Sequence, residues 1–292
     1  MALQLILGNS GAGKSYYLFE KIIAESMEYP NRQFLVIVPE QFTMQTQKDL
    51  VMMHPRHVLS FDRLAHHVFE ETGGEHRKIL EDTGKNLILR RLAEEKKGEL
   101  TLLGGNLRKL GYISEVKSLL SEFVQYRITP EDLTQMMERN QDNPQLYYKL
   151  KDMKVIYESF QEYLKEEYLT SEQLLDVLEQ TVEQSASVRG SVIVLDGYTG
   201  FTPIQMKLLG RLMTLAEEVY ITLTMDSRES VRAHEAEHQL FYLTKKTIRD
   251  LFQTAEDTKT SIRKTVVLDG ETAWRFREAP ALSFLEQKIF RH

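Results

Sequence analysis

The sequence predicts an α/β protein in which a parallel sheet is interrupted by an inserted all-helical subdomain. Three observations lead to this prediction. Residues 1–74 alternate short apolar runs with helical stretches, the order that builds a parallel sheet with helices on both faces. Residues 75–187 keep helical periodicity but lose the strand signals, and residues 188–292 return to the alternating order. We therefore expect one α/β domain in two parts, 1–74 and 188–292, with the helical subdomain between them.

A glycine-rich loop lies between the first predicted strand and helix. Leu3–Leu7 is an apolar run typical of a buried strand, and Tyr16–Met27 has a helical pattern. The intervening Gly8–Ser15 fits the P-loop pattern G-x-x-x-x-G-K-[ST] at every fixed position. Such a loop directs backbone N–H groups and a helix N-terminus at an anion, so we expect it to bind ATP. The expected nucleotide contacts are Gly8, Asn9, Ser10, Gly11, Ala12, Gly13, Lys14 and Ser15.

The P-loop pattern assigns Lys14 to the outer phosphates and Ser15 to Mg²⁺. A P-loop ATPase also needs an acid at the end of a second strand. The apolar run Val192–Leu195 ends at Asp196, which we assign to nucleotide and Mg²⁺ binding. The next residue is Gly197, where many P-loop motors carry Glu. We therefore expect this site to bind MgATP with little turnover.

Two more strand–helix pairs complete the first part. Phe34–Val38 is a continuous apolar run, typical of a strand buried on both faces, and a helix is predicted over Phe42–Met53. His57–Ser60 is a short strand, and a helix is predicted over Asp62–Glu71. Glu40, which follows the second strand, either lies near the phosphates or is a solvent-exposed loop acid.

The remaining elements follow from the same patterns. Helical periodicity predicts the helices of the subdomain over Gly84–Lys97, Ile113–Tyr126, Pro130–Asn140, Gln145–Tyr168 and Ser171–Ser185. Thr129 before Pro130 is a clear helix start. In the last part we predict a strand over Ser191–Leu195, a helix over Thr202–Ala216, a strand over Glu218–Thr224, a helix over His238–Phe252 and a strand over Thr265–Leu268. No element is predicted after that strand.

Composition limits the classes of function. The chain has 292 residues, no cysteine and a formal net charge of −6. The lack of cysteine excludes disulfides and thiolate metal sites within this chain and fits a cytoplasmic protein. The negative charge argues against non-specific DNA binding as the main activity, although an acidic body can carry a local basic groove. No charged segment precedes the apolar run at Met1–Leu7, and no run approaches the roughly 20 apolar residues that span a bilayer. We expect no signal peptide and no membrane contact.

A second motif points to a different chemistry. His234–His238 fits H-E-x-x-H, the two-histidine zinc signature of metalloproteases. A zinc site would need both histidines on one helix face and a third ligand downstream. The segment follows a polar stretch and has little apolar face to bury. We therefore favour a charged helix start with two incidental histidines.

Four segments, in order and at matching separations, resemble one protein family. They are Gly8–Ser15, Val38–Thr43, Leu59–Ala65 and Leu195–Gln205. Together they resemble the N-terminal portion of AddB, the B subunit of the bacterial AddAB helicase–nucleases, which is related to superfamily 1 helicases. The resemblance covers essentially the whole chain. It implies a P-loop NTPase fold of the superfamily 1 helicase-like type.

The resemblance also implies a function. AddB is part of an ATP-dependent helicase/deoxyribonuclease that acts on DNA in double-strand-break repair by recombination, with AddA as its motor partner. Its helicase-like part looks like a motor that has lost activity, which agrees with Gly197, and it scans single-stranded DNA for the Chi sequence. The family's nuclease domain and its iron–sulfur cluster are expected beyond residue 292. We therefore expect this chain to be an N-terminal portion.

The family's recognition positions, matched onto this sequence, give a set of candidate DNA-binding residues. They are Gln41, Thr43, Phe61, Arg63, His66 and Phe201. The two phenylalanine rings can stack on unpaired bases, and the polar residues can hydrogen-bond base edges. His66 stands where some relatives carry a larger aromatic ring, and its imidazole can still stack. Without the resemblance, Phe61 and Phe201 would be expected in the core, the usual place of an isolated phenylalanine.

Two other classes of function stay open on the residues alone. One is an active P-loop ATPase or phosphotransferase acting on a small substrate, against which Gly197 argues. The other is a protein-interaction scaffold whose P-loop is vestigial. A nucleotide titration separates the scaffold from the others, and a single-stranded DNA binding assay separates a DNA-binding protein from an enzyme of small molecules.

Overall fold

The chain forms two compact units in the computed structural model, which describes residues 1–50, 57–75, 77–106, 109–165, 167–231, 236–268, 274–276 and 278–289. The first unit consists of Met1–Gly73, Leu178–Phe201 and Gln205–His292. The second consists of Gly74–Val177 with Thr202–Ile204. The sequence pattern places the return to the α/β domain after residue 187. The units instead divide at Leu178, inside a continuous helix, where the helical pattern does not change.

The strands of the first unit form one parallel sheet. The strands of the chain are β1 (Ala2–Gly8), β2 (Phe34–Ile37), β3 (His57–Leu59), β4 (Lys78–Ile79), β5 (Tyr168–Leu169), β6 (Val192–Leu195), β7 (Glu218–Thr224), β8 (Ser261–Ile262) and β9 (Val266–Leu268). In the sheet, β3, β2, β6, β7, β1 and β8 lie side by side in that order, and β9 also pairs with β1. Every pairing is parallel, with Val36 beside Val194 and Leu5 beside Ile221. The strands therefore all end at one edge of the sheet, called the carboxyl edge below.

Helices fill most of the remaining chain. They are α1 (Lys14–Glu28), α2 (Thr43–Asp49), α3 (Phe61–Thr72), α4 (Asp82–Glu95), α5 (Leu110–Gln125), α6 (Pro130–Arg139), α7 (Pro144–Leu164), α8 (Ser171–Thr181), α9 (Pro203–Leu215), α10 (Tyr242–Asp257) and α11 (Pro280–Lys288). Short 3₁₀ turns cover Glu40–Phe42, Val182–Gln184 and Trp274–Phe276. Within the part of the chain that the structure describes, none of the helices is long and apolar enough to cross a membrane.

The core of the first unit lies around the middle strands. β2 and β6 are buried at every position, as expected for parallel strands covered on both faces. On one face, Leu18 and Ile22 of α1 pack in the same apolar cluster as Val36 and Val194. The sequence predicts both strands from their unbroken apolar runs, and the α/β fold class is confirmed.

The second unit is built on α4 to α7. Ile113, Leu133 and Ile156 are buried in its apolar core. Helix α6 begins as the sequence predicts, with Thr129 and Asp132 forming a reciprocal cap. The unit is not entirely helical, because β4 and β5 pair as two short parallel strands. Each has two residues, too few for an alternating pattern to be recognised in the sequence.

Several predicted boundaries differ from the observed ones. The helix predicted over His238–Phe252 is observed as α10, which spans Tyr242–Asp257. It ends later than predicted because its buried positions continue to Ala255. The helix predicted over Phe42–Met53 is observed as a 3₁₀ turn followed by α2, and residues 51–56 lie outside the described part. The sequence pattern predicts neither β8 nor α11. Both residues of β8 are exposed, so it lacks the apolar run that marks the other strands.

Candidate functional site

The glycine-rich loop joins β1 to α1 at the carboxyl edge. Gly13 caps the N-terminus of α1 with φ of 87°, in the left-handed region that favours glycine. This geometry lets the helix start immediately at Lys14, with the backbone N–H of Tyr17 donating to the Gly13 carbonyl oxygen at 2.8 Å. The first turn of α1 therefore directs backbone N–H groups toward the loop, an arrangement suited to an anion.

Lys14 folds back onto this loop. Its Nζ donates to the carbonyl oxygens of Gly8 at 3.0 Å and Asn9 at 2.8 Å. Burial lowers the pKa of Lys14, while the negative charges of Asp196 and Glu286 oppose that shift. The structure therefore brings the predicted lysine and the predicted acid into one electrostatic neighbourhood. The contribution of Glu286, which lies on α11, was not visible from the sequence.

Asn9 is an unusual residue of the loop. It is buried, and no hydrogen-bond partner of its side-chain Oδ1 is found among the described residues. Buried polar atoms nearly always form a hydrogen bond. The unpaired Oδ1 of Asn9 in this loop therefore fits a hydrogen-bond donor from outside the chain. Ser10 and Ser15 are exposed, and Ser15 lies in the first turn of α1.

Asp196 follows β6 at the same edge. It is buried, its backbone N–H donates to the Ile37 carbonyl oxygen at 3.1 Å, and its Oδ1 accepts from the Thr222 hydroxyl. Thr222 lies on β7, the strand between β6 and β1. Thr222 was not among the residues predicted from the sequence, where its only signal is its place near the end of a strand. The hydroxyl fixes one carboxylate oxygen, so the orientation of Asp196 is set by the sheet.

Gly197 has a structural reason to be glycine. Its φ is +81°, and a Cβ built on it would lie 3.3 Å from Cδ2 of Phe42 and 3.5 Å from Cδ of Pro39. A glutamate at this position would adopt a strained backbone and meet the Phe42 ring. The chain therefore lacks the acid of the P-loop motors at a point where the local backbone disfavours any side chain.

We expect Gly197→Ala to lower the free energy of unfolding by about 1–2 kcal/mol, the cost of holding an L-residue in the left-handed region. Urea unfolding followed by circular dichroism measures the change. The matched control is Gly111→Ala in α5, where an added Cβ meets nothing within 4 Å. Gly111 is the second residue of α5, so that change should be neutral or slightly stabilising, because alanine has a higher helix propensity than glycine. Equal unfolding midpoints for Gly197→Ala and the unchanged protein would contradict the strain argument.

An aromatic cluster lies beside Asp196. The ring of Tyr198 is 5.5 Å from that of Phe61 and 5.2 Å from that of Phe201, measured between centroids. Burial and the nearby carboxylates of Asp62 and Glu40 raise the pKa of Tyr198. Tyr198 was not among the predicted residues, yet it connects two of them. Phe61 is 5% exposed, so its ring fits the core alternative, whereas Phe201 is half-buried.

The remaining predicted residues lie at the ends of β2 and β3. Arg63 Nη2 donates to Glu40 Oε1 at 2.9 Å, and both side chains are largely exposed. A hydrogen bond from Ser60, with the charge of Arg63, holds the pKa of Glu40 below its ordinary value. Glu40 is thus an exposed loop acid paired with Arg63. The Thr43 hydroxyl donates to the Glu40 carbonyl oxygen at 2.9 Å and Thr43 is buried, while Gln41 and His66 are exposed.

The zinc motif lies only partly within the described residues. His234 and Glu235 lie outside the described residues. Where the structure does describe the chain, no group of three or more histidine, aspartate and glutamate side chains has a geometry that could hold a metal ion.

The fold and this edge define a class. The chain is a parallel α/β protein with a glycine-rich loop between its first strand and first helix, and a buried acid two strands away. It belongs to the AddB N-terminal family, because the family model "ADDB, N-terminal" matches residues 5–286.

Curated relatives carry a common description, the B subunit of an ATP-dependent helicase/deoxyribonuclease. The relative from Lachnoclostridium phytofermentans is 45% identical over 301 residues, which cover 100% of this chain and 26% of the relative. Proteins with the same description from Caldanaerobacter subterraneus and Clostridium kluyveri are 34% and 32% identical over 298 residues, with 25% and 26% of their lengths covered. The chain thus spans about a quarter of the length of these relatives.

Proposed function

We propose that this chain is the helicase-like, nucleotide-binding portion of the B subunit of an ATP-dependent helicase/deoxyribonuclease, and that it binds MgATP and single-stranded DNA at one edge of its sheet. One observation carries the proposal. The glycine-rich loop, the buried Asp196, the exposed Arg63 and the half-buried Phe201 all follow strand ends at the carboxyl edge. Ligands of parallel α/β sheets bind at this edge.

The nucleotide part of the proposal rests on the loop. The Lys14 ammonium group already lies against the loop carbonyls, from which it can turn to phosphate oxygens. The backbone N–H groups of the first helical turn fit a bound phosphate, and the unpaired Oδ1 of buried Asn9, which is an acceptor, fits a water molecule of its hydration shell. Ser15 and Asp196 would hold Mg²⁺, which proteins bind through one or two side chains together with phosphate oxygens and water. Bound Mg²⁺ would neutralise phosphate charge.

We expect the protein to hydrolyse ATP very slowly, with or without single-stranded DNA, because no acid stands at Gly197 to position the attacking water. A steady-state phosphate-release assay measures this, with Lys14→Ala as the control that defines the background. DNA-stimulated turnover on the order of 10 s⁻¹, an ordinary enzyme rate, would contradict the inactive site and favour an active ATPase.

The nucleic-acid part rests on the ends of β2, β3 and β6. The Arg63–Glu40 pair is exposed, and such surface pairs are worth only about 0–1 kcal/mol, so the guanidinium can exchange Glu40 for a phosphate or a base edge. Gln41 and His66 are exposed beside it, and the half-buried Phe201 offers a ring. Phosphate contacts would position the strand while base contacts read its sequence. We assign Chi recognition to these residues.

The partner and the wider role follow from the same proposal. The relatives are described as B subunits, and we propose that this chain acts with an AddA motor protein in double-strand-break repair. The active motor would then lie in the partner. The nuclease and its iron–sulfur cluster would lie in the part of the protein that follows residue 292.

A further inference from the structure

Phe42 is an exposed aromatic residue of the Val38–Thr43 segment that is not among the candidate DNA-binding residues. It ends the 3₁₀ turn Glu40–Phe42 at the end of β2, between the candidate residues Gln41 and Thr43. Its surface is 45% exposed although it lies in a well-formed turn. Singly exposed apolar side chains are common on protein surfaces, so the interest of Phe42 lies in its place among the candidate residues.

The ring of Phe42 is supported from below by Gly197. A Cβ on Gly197 would lie 3.3 Å from Cδ2 and 3.7 Å from Cε2 of the ring, so the ring rests close to the glycine backbone. A longer side chain at this position would need the space that the ring occupies. Gly197 stands where many P-loop motors carry a glutamate, and its lack of a side chain leaves space for the ring of Phe42.

The surroundings of Phe42 suit an unpaired nucleic-acid strand. Glu40, in the same turn, holds the guanidinium of Arg63, and Gly197 is followed directly by Tyr198 of the aromatic cluster. An exposed ring with a cation and amide groups nearby is the combination by which proteins bind single-stranded nucleic acid. An apolar peptide groove would instead be lined by contiguous apolar side chains.

We propose that Phe42 stacks on a base of single-stranded DNA, with its ring held against the backbone of Gly197. This inference rests on the proposed function and adds Phe42 to the residues proposed to bind single-stranded DNA at the carboxyl edge. It links two properties of the site. Position 197 carries no acid, and its lack of a side chain leaves space for the Phe42 ring.

The test is fluorescence anisotropy of labelled oligothymidine with the complete protein in its assembly. We expect Phe42→Ala to weaken binding roughly 5- to 150-fold, the equivalent of one lost base–ring stack. Phe42→Trp should keep the affinity, and Phe42→Leu, which preserves packing on Gly197 without an aromatic face, should weaken it. The matched control is Tyr29→Ala, an aromatic residue that is 51% exposed after α1, at the opposite edge of the sheet. MgATP affinity should be unchanged in every variant.

The outcomes separate this inference from the proposed function. Suppose that the unchanged protein binds oligothymidine and that Arg63→Ala weakens this binding. If Phe42→Ala and Phe42→Leu then bind normally, the stacking role is wrong, while the proposed DNA binding at the carboxyl edge is supported. If the unchanged protein does not bind oligothymidine, the proposed DNA face is wrong. A normal affinity of Phe42→Leu together with a weakened Phe42→Ala would assign Phe42 to packing and overturn the stacking role.

Discussion

Lys14→Ala is expected to lower the affinity for MgATP by roughly 100-fold or more. The lysine supplies the positive charge at the loop, and its ammonium group already lies within 3.0 Å of two loop carbonyl oxygens. Hydrogen bonds to charged groups contribute about 1.5–3 kcal/mol each, so the loss of two phosphate contacts exceeds two orders of magnitude in affinity. Isothermal titration calorimetry with MgATP or MgADP measures the change.

The matched control for this experiment is Lys21→Ala on the same helix. Lys21 pairs with Glu25 at 3.2 Å, about two turns away from the loop, and should not affect nucleotide binding. Thermal unfolding of both variants establishes that each is folded. An unchanged MgATP affinity in folded Lys14→Ala would show that the loop is not the nucleotide site and would favour the vestigial alternative.

Arg63→Ala and Phe201→Ala are expected to reduce the response of the assembled complex to Chi while leaving unwinding and general DNA degradation nearly intact. The two effects separate because the working motor would be the partner protein. Loss of a stacking ring costs about 1–3 kcal/mol per base, and loss of an arginine–base contact costs a similar amount. Chi-dependent fragment production from linear DNA measures the response.

Glu40→Gln should have the opposite effect on DNA binding to Arg63→Ala, because the two side chains form an ion pair. It removes the carboxylate that pairs with Arg63 at 2.9 Å and leaves the guanidinium free for DNA. We expect equal or tighter binding of single-stranded DNA and a normal Chi response.

Folded Arg63→Ala and Phe201→Ala complexes with a normal Chi response would contradict the recognition assignment. If Phe201→Ala unfolds the protein, its ring belongs to the core, and Arg63→Ala decides the assignment alone.

The sequence was sufficient for the parts of the fold that local patterns encode. Continuous apolar runs identify β2 and β6 because strands buried on both faces have no polar positions. The fixed glycines and lysine of the loop identify the β1–loop–α1 unit, since each residue type has a geometric role. Thr129 and Pro130 identify the start of α6 for the same reason.

The features that the sequence could not predict depend on contacts between distant residues. Tyr198 connects Phe61 and Phe201 only because β3 and β6 end at the same edge of the sheet. Thr222 orients Asp196 across two neighbouring strands, which no spacing along the chain reveals. Phe61 is buried and Phe201 is half-buried, although each follows the end of a strand of the same sheet. This difference in burial comes from tertiary packing.

The most direct test of a shared nucleotide and DNA edge is photo-cross-linking. Oligothymidine carrying 5-iodouracil would be irradiated with the complete protein in the presence of MgATP, and the cross-linked residues identified by mass spectrometry. The proposed site predicts cross-links at Phe42 and Phe201, which lie at the ends of β2 and β6. Cross-links confined to the opposite edge of the sheet, near Tyr29, with none at Phe42 or Phe201, would contradict it.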